Sequence, residues 1–142
     1  MTSAHKAYVE SWLDKAEHDL MSAQRLIEIE PVILDNACFH CQQAMEKCLK
    51  AYLIYNGFDV QKTHDIIDLL VDCAKYDSIF AAIDPLDINA YAVRGRYPGY
   101  QSYANKRGGR SLLPISTANQ ILGRRENYIF LIFLAKHTKT LN

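Results

Sequence analysis

Between Cys38 and Tyr55, six residues recur at steps of three, four, three, four and three: Cys38, Cys41, Met45, Cys48, Tyr52 and Tyr55. A strand returns to the same face every second residue, whereas only an α-helix does so at alternating threes and fours. The rhythm therefore predicts a helix from about Ile33 to Tyr55, with a narrow seam packed against neighbouring helices. Asn56-Gly57 follows as a left-handed stop. The seam also accounts for the cysteines. Cys38-Phe39-His40-Cys41 has the spacing of a metal knuckle, but no second knuckle or spaced histidine pair completes it, so no metal is expected. Four cysteines and five histidines offer many nucleophile pairs, yet no local signature selects one.

The flanking segments read the same way. Val9, Trp12, Leu13, Ala16, Leu20, Ala23, Leu26 and Ile27 form one face of a helix over residues 8 to 29, ended by Pro31. Thr63 stands as an N-cap ahead of His64, Asp65 and IIDLLVDCA, predicting a third helix from about His64 to Lys75. Residues 79 to 93 read as one or two short helices broken near Asp84-Pro85. A last helix starts at Pro114 and Ser116-Thr117 and runs to about Thr140. No alternating pattern is long enough to name a strand. The expected fold is all-α, an antiparallel up-and-down bundle of four or five helices.

A chain of 142 residues has room for one domain, 1–142, with about two thirds of its unfolded surface buried. The apolar run Tyr128 to Ala135 is far short of the ~20 residues a bilayer requires. MTSAHKAYVESW lacks the basic start, apolar run and cleavage site of a secretion signal, so a cytoplasmic location and reduced thiols are expected.

Charge is balanced overall and divided along the chain. Residues 1 to 87 hold fifteen of sixteen acids and seven of sixteen basic residues; residues 88 to 142 hold the other nine basic residues and only Glu126. Such a split suits an internal dipole, a self-complementary dimer or an anion site, and equally suits pairing across interleaved helices. Within it, RGRYPGYQSYANKRGGR, residues 94 to 110, carries five basic residues, three tyrosines and no carboxylate. A long aperiodic stretch of this kind is uncommon inside a compact domain.

Arg94, Arg96 and Tyr97 offer guanidinium forks for phosphate or carboxylate and a ring face for a base. The alternative is an arginine bridging two helices through a carboxylate. His64 is either a locally bonded imidazole at a helix start or a donor to phosphate, helped by the helix N-terminus. Lys47 and Lys50 lie off the cysteine seam near Glu46, where helical ion pairing explains both at about a few tenths of a kcal/mol per pair. No Walker loop is present, and the glycines do not form GxGxxG after a strand.

Three stretches together resemble a HEPN domain (higher eukaryotes and prokaryotes nucleotide-binding): ACFHCQQAMEKCLKAYLIYNGF at 37 to 58, KTHDIIDLL at 62 to 70 and RYP at 96 to 98. Gln43, Ala44, Glu46, Lys47, Lys50 and Ala51 match the family's QAxEKxxKA, and Thr63, His64 and Asp65 its TH(D/S)L helix start. AEHDLMSAQRLIE, residues 16 to 28, resembles the family's first helix. The resemblance implies a helical bundle, commonly a homodimer, that binds nucleotides and is often encoded beside a small nucleotidyltransferase as its protein partner.

Some relatives are RNA-cleaving toxins carrying an arginine four to six residues before a histidine. That spacing is absent here; the nearest pair is Arg125 and His137, with eleven residues between. The expectation is a non-catalytic nucleotide-binding or partner-binding module in a toxin-antitoxin-like pair, with His64, Arg94, Arg96, Tyr97, Lys47 and Lys50 as ligand-binding candidates. No cofactor and no catalytic residue are assigned, and RNA as a ligand stays open. Two alternatives stand beside it: a metal-independent endoribonuclease, and a structural antitoxin or assembly partner.

Overall fold

A computed structural model of the chain describes residues 2–59, 62–83 and 85. They form three α-helices, α1 (Ser3–Glu28), α2 (Leu34–Tyr55) and α3 (Ile66–Ala74), and a 3-10 helix at Ser78–Ala82; no strand occurs among the described residues. None of the described helices is long and apolar enough to cross a membrane. The predicted last helix, the stretch from 94 to 110, and Arg94, Arg96 and Tyr97 lie outside the described residues.

Helix α1 starts at Ser3, five residues before the predicted start at residue 8, because the Thr2 hydroxyl accepts a hydrogen bond from the His5 backbone N–H at 3.2 Å and caps the first turn. Val9, Leu13, Ala16 and Ala23 are buried, with Leu20 and Trp12 packed at the edges. The helix ends at Glu28, ahead of Pro31 as expected. Its start meets the end of α2, where His5 Nε2 lies 2.9 Å from the Ile54 carbonyl oxygen, and its middle meets Lys47 and His40 through Asp19. The two long helices are therefore antiparallel.

In α2, Cys38, Cys41, Met45, Cys48 and Tyr52 are buried as the rhythm requires, and Tyr55 is half-buried. The seam is wider than predicted. From Cys41 onward the helix exposes almost nothing, because α1 covers one side and α3 another. Ala37, Ala44 and Ala51 contribute no bulk, so a neighbouring backbone can come close. One apolar cluster joins α1, α2 and α3 to Phe80, whose ring lies 4.5 Å from that of Tyr52; a smaller one unites Val9, Leu13, Ala51 and Ile54. Each fully buried leucine or isoleucine contributes about 1.5–3 kcal/mol relative to exposure.

Asn56-Gly57 ends α2 as read from the sequence. Gly57 takes a φ of 79°, its N–H donates to the Ile54 carbonyl at 2.9 Å, and the Phe58 N–H donates to Leu53 at 3.0 Å. This pair of bonds is the Schellman arrangement, with Phe58 packed back onto the core.

The start of α3 corrects the sequence reading. Asp65, not Thr63, is the N-cap: its carboxylate accepts from the backbone N–H of Ile67 at 2.8 Å and of Asp68 at 3.4 Å. A charged acceptor at the positive helix end outcompetes a hydroxyl two residues earlier. The Thr63 hydroxyl instead accepts from the Asp65 N–H at 3.1 Å. The helix consequently spans Ile66–Ala74, and His64 stands before it rather than in its first turn. Ile66, Leu69, Leu70 and Cys73 face inward. The short helix expected from Ile79 is a 3-10 turn beginning at Ser78, capped by the Asp77 carboxylate accepting from the Ile79 N–H at 3.0 Å.

Candidate functional site

Gln42, Glu46 and Lys50 follow one another at four-residue steps, so α2 stacks them in a column. All three are buried, Gln42 completely, Glu46 at 4% exposure and Lys50 at 5%. Buried polar groups of this kind persist only when hydrogen-bonded. Glu46 Oε1 accepts from Lys50 Nζ at 2.8 Å and from His64 Nδ1 at 3.0 Å. Its Oε2 accepts from Gln42 Nε2 at 3.3 Å and Gln43 Nε2 at 3.5 Å. Gln42 Nε2 also donates to the His64 carbonyl at 3.3 Å, and Gln43 Nε2 donates to Gln42 Oε1 at 2.8 Å.

Burial pushes the Glu46 carboxyl up, but the hydrogen bonds from Lys50 and His64, and their charges, outweigh it and hold the group below its usual value. The carboxylate is thus ionised at neutral pH and can only accept. His64 Nδ1 must carry the proton in their shared bond. The imidazole itself is 76% exposed, so a neutral ring presents Nε2 to water as an acceptor, on an anchor sunk into the core.

Lys47 does not join this column. It crosses to α1, where Asp19 Oδ2 accepts from Nζ at 2.6 Å, and it also donates to Gln43 Oε1 at 3.1 Å. Asp19 Oδ1 meets His40 Nδ1 at 2.8 Å. The expectation of two helical pairs with Glu46 is therefore half corrected: Lys50 makes one, buried rather than solvated, and Lys47 makes none. The physical cause is the antiparallel register of α1, which brings a carboxylate closer to Lys47 than Glu46 is.

Of the sequence candidates, the structure brings His64 and Lys50 together through Glu46 and sets Lys47 in the adjoining Asp19 cluster. Sequence reasoning missed the roles of Gln42, Glu46 and Trp12. The four-residue spacing of QQAMEKCLK carried a signal for the first two; nothing local carried one for Trp12, over whose ring Lys50 Nζ lies 5.8 Å from the centroid.

All four cysteines are buried. Burial pushes the Cys38 thiol up to about 11, with Asp35 adding to it. Cys41 and Cys73 rise to about 12, burial again leading, with Cys38 and Asp19 contributing at Cys41 and Asp72 at Cys73. Among the described residues no three His, Cys, Asp or Glu side chains converge as metal ligands.

Two clefts open along α1. One of about 550 Å³ is lined by His18, Met21, Ser22, Arg25, Leu26 and His40. The other, of about 240 Å³, is lined by Tyr8, Ser11, Trp12, Lys15 and Lys47.

Compared with known proteins, residues 9–126 match the family model for the HEPN domain. No curated protein and no solved structure matches the chain.

Proposed function

Because the chain belongs to the HEPN domain family, whose functions concern nucleotides and RNA, we propose that it is a nucleotide-binding module that works without catalysis. The observation that carries this reading is an exposed imidazole held rigidly from below: His64 bonded to Glu46, itself locked by buried Lys50 and Gln42. A phosphate oxygen next to His64 would be met by Nε2 once the ring takes up a second proton, while Nδ1–H stays on Glu46, so little side-chain entropy remains to be lost on binding. Arg94, Arg96 and Tyr97 complete the ligand site in this proposal, and the remaining chain completes a bundle of four or five helices. The module forms a homodimer and pairs with a nucleotidyltransferase in a toxin-antitoxin-like arrangement.

Titration with ATP, GTP and a dinucleotide, followed by the imidazole resonances of isotope-labelled protein, tests the proposal. Saturable shifts at His64 are expected. Unmoved His64 resonances at millimolar ligand refute it.

One observation favours a second reading, a metal-independent endoribonuclease. The Glu46 bond fixes the proton on Nδ1, leaving Nε2 basic, which is what a general base toward a ribose hydroxyl needs. In that reading Arg96 stabilises the pentavalent phosphate. Purified protein then cleaves RNA without added metal, and His64→Ala abolishes cleavage; intact RNA after prolonged incubation eliminates this reading.

A further inference from the structure

Tyr8, Ser11, Trp12 and Lys15 lie at three- and four-residue steps on α1, and Lys47 of α2 closes the cleft of about 240 Å³ that they line. Tyr8 and Trp12 meet edge to face, with ring centroids 6.3 Å apart and planes at 79°. Trp12 is fixed in place, because it packs against the Val9, Leu13, Ala51 and Ile54 cluster and carries the Lys50 ammonium over its ring. Tyr8, by contrast, is 53% exposed, so its ring is not accounted for by the core. Two aromatic rings at right angles, one rigid and one wet, make a shelf and a wall for a planar group.

The cations beside them differ. Lys47 gives two of its three donor hydrogens to Asp19 and Gln43. Lys15 is exposed and makes no hydrogen bond or ion pair among the described residues, so no described group competes for its ammonium with an anion that reaches the cleft. The volume lies below the ~300–1,000 Å³ of pockets that enclose a drug-sized molecule, which suits a single ring system. Stacking on an aromatic side chain combined with a neighbouring cation is the chemistry that recognises a base joined to a phosphate.

We propose that the Tyr8/Trp12 cleft binds one nucleotide unit, its base against the two rings and its phosphate on Lys15, with Lys47 as the second cation. His64 is not among the residues that line this cleft, which therefore adds to the module a second point of contact with a nucleotide or with a strand of RNA.

Trp12 is the chain's single tryptophan and lines this cleft, so its fluorescence reports binding there, and Lys15→Ala and Tyr8→Ala, which leave the Glu46 column intact, separate that signal from binding at His64. Titration with AMP, adenosine, ribose 5-phosphate and oligo(A) is read as quenching of that emission. Saturable quenching by AMP supports the site with free nucleotide as its source; quenching by oligo(A) alone supports it with an RNA strand as the source. AMP or oligo(A) is expected to bind about fivefold or more tightly than adenosine, a difference that Lys15→Ala reduces. Tyr8→Ala weakens every base-containing ligand by about fivefold or more. Both residues are exposed, so each variant is expected to fold, which circular dichroism checks. Absence of quenching by both AMP and oligo(A) at millimolar concentration overturns the proposal, as does saturable binding of adenosine as tight as that of the phosphate-bearing ligand that binds. The His64 reading is followed at imidazole resonances and this one at Trp12, so either can fail alone.

Discussion

Glu46→Gln replaces the buried carboxylate with an amide of nearly equal size and leaves the Lys50 ammonium without a counter-charge. A solvated helical pair at this spacing is worth about 0.3–0.5 kcal/mol. Here both side chains are only 6% exposed, so the relevant comparison is removal of one partner from a buried pair, which costs about 3–5 kcal/mol. The amide oxygen can still accept one hydrogen bond from Lys50, placing the expected loss near the lower end, about 3 kcal/mol, or a factor of about 150 in the folding constant. Urea unfolding followed by circular dichroism and by Trp12 emission measures it. Lys50→Met in the Glu46→Gln background removes the stranded charge and is expected to restore about 2 kcal/mol or more. The pH dependence has a definite sign. A carboxyl with its folded value depressed stabilises the protein above its unfolded value of about 4.3 and loses that contribution as pH falls through the folded value. Stability of Glu46→Gln should therefore vary less below about pH 4.3 than that of the wild type. A loss under about 0.5 kcal/mol at neutral pH would refute the reasoning, because it would mean that water reaches Lys50 as at a surface pair.

Gly57→Ala forces an L side chain to a φ of 79° with no atom within 4 Å of the added carbon, so strain alone acts, and thermal unfolding should report a loss of about 1–2 kcal/mol. Asp65→Ala removes the α3 cap and should cost about 1 kcal/mol, with faster hydrogen exchange at Ile67 and Asp68; an unchanged exchange rate there would show that Thr63 substitutes. All four cysteines are buried, and three have thiols raised to about 11 or 12, so alkylation of the native protein at pH 8 should be slow and should accelerate only on unfolding. Rapid labelling of Cys41 would contradict its burial.

The helices were legible where periodicity and punctuation agree. Cys38 to Tyr55 and the Asn56-Gly57 stop needed only local information, because a helix and its left-handed termination are properties of neighbouring residues. The α3 start was misplaced by two residues, since Thr63 and Asp65 are both good caps and only the competition between hydroxyl and carboxylate decides. The column of Gln42, Glu46 and Lys50 was visible as spacing, yet its burial was not, because burial depends on how much of α2 its neighbours cover. His64 was singled out, but its link to Glu46 spans eighteen residues and arises from the path between α2 and α3. The Asp19 contacts with His40 and Lys47 depend on the register of α1 against α2, which no local pattern states.

That register has its own logic. Ala37, Ala44 and Ala51 repeat every seven residues along α2, about 10.5 Å along the axis, so small side chains alone would let a neighbouring helix settle at more than one height. Asp19 would not. Its two oxygens hold Lys47 and His40, themselves seven residues apart, and any slide must abandon at least one of them. Alanines let the two rods lie close, while a single carboxylate works as the pawl that keeps them at one height.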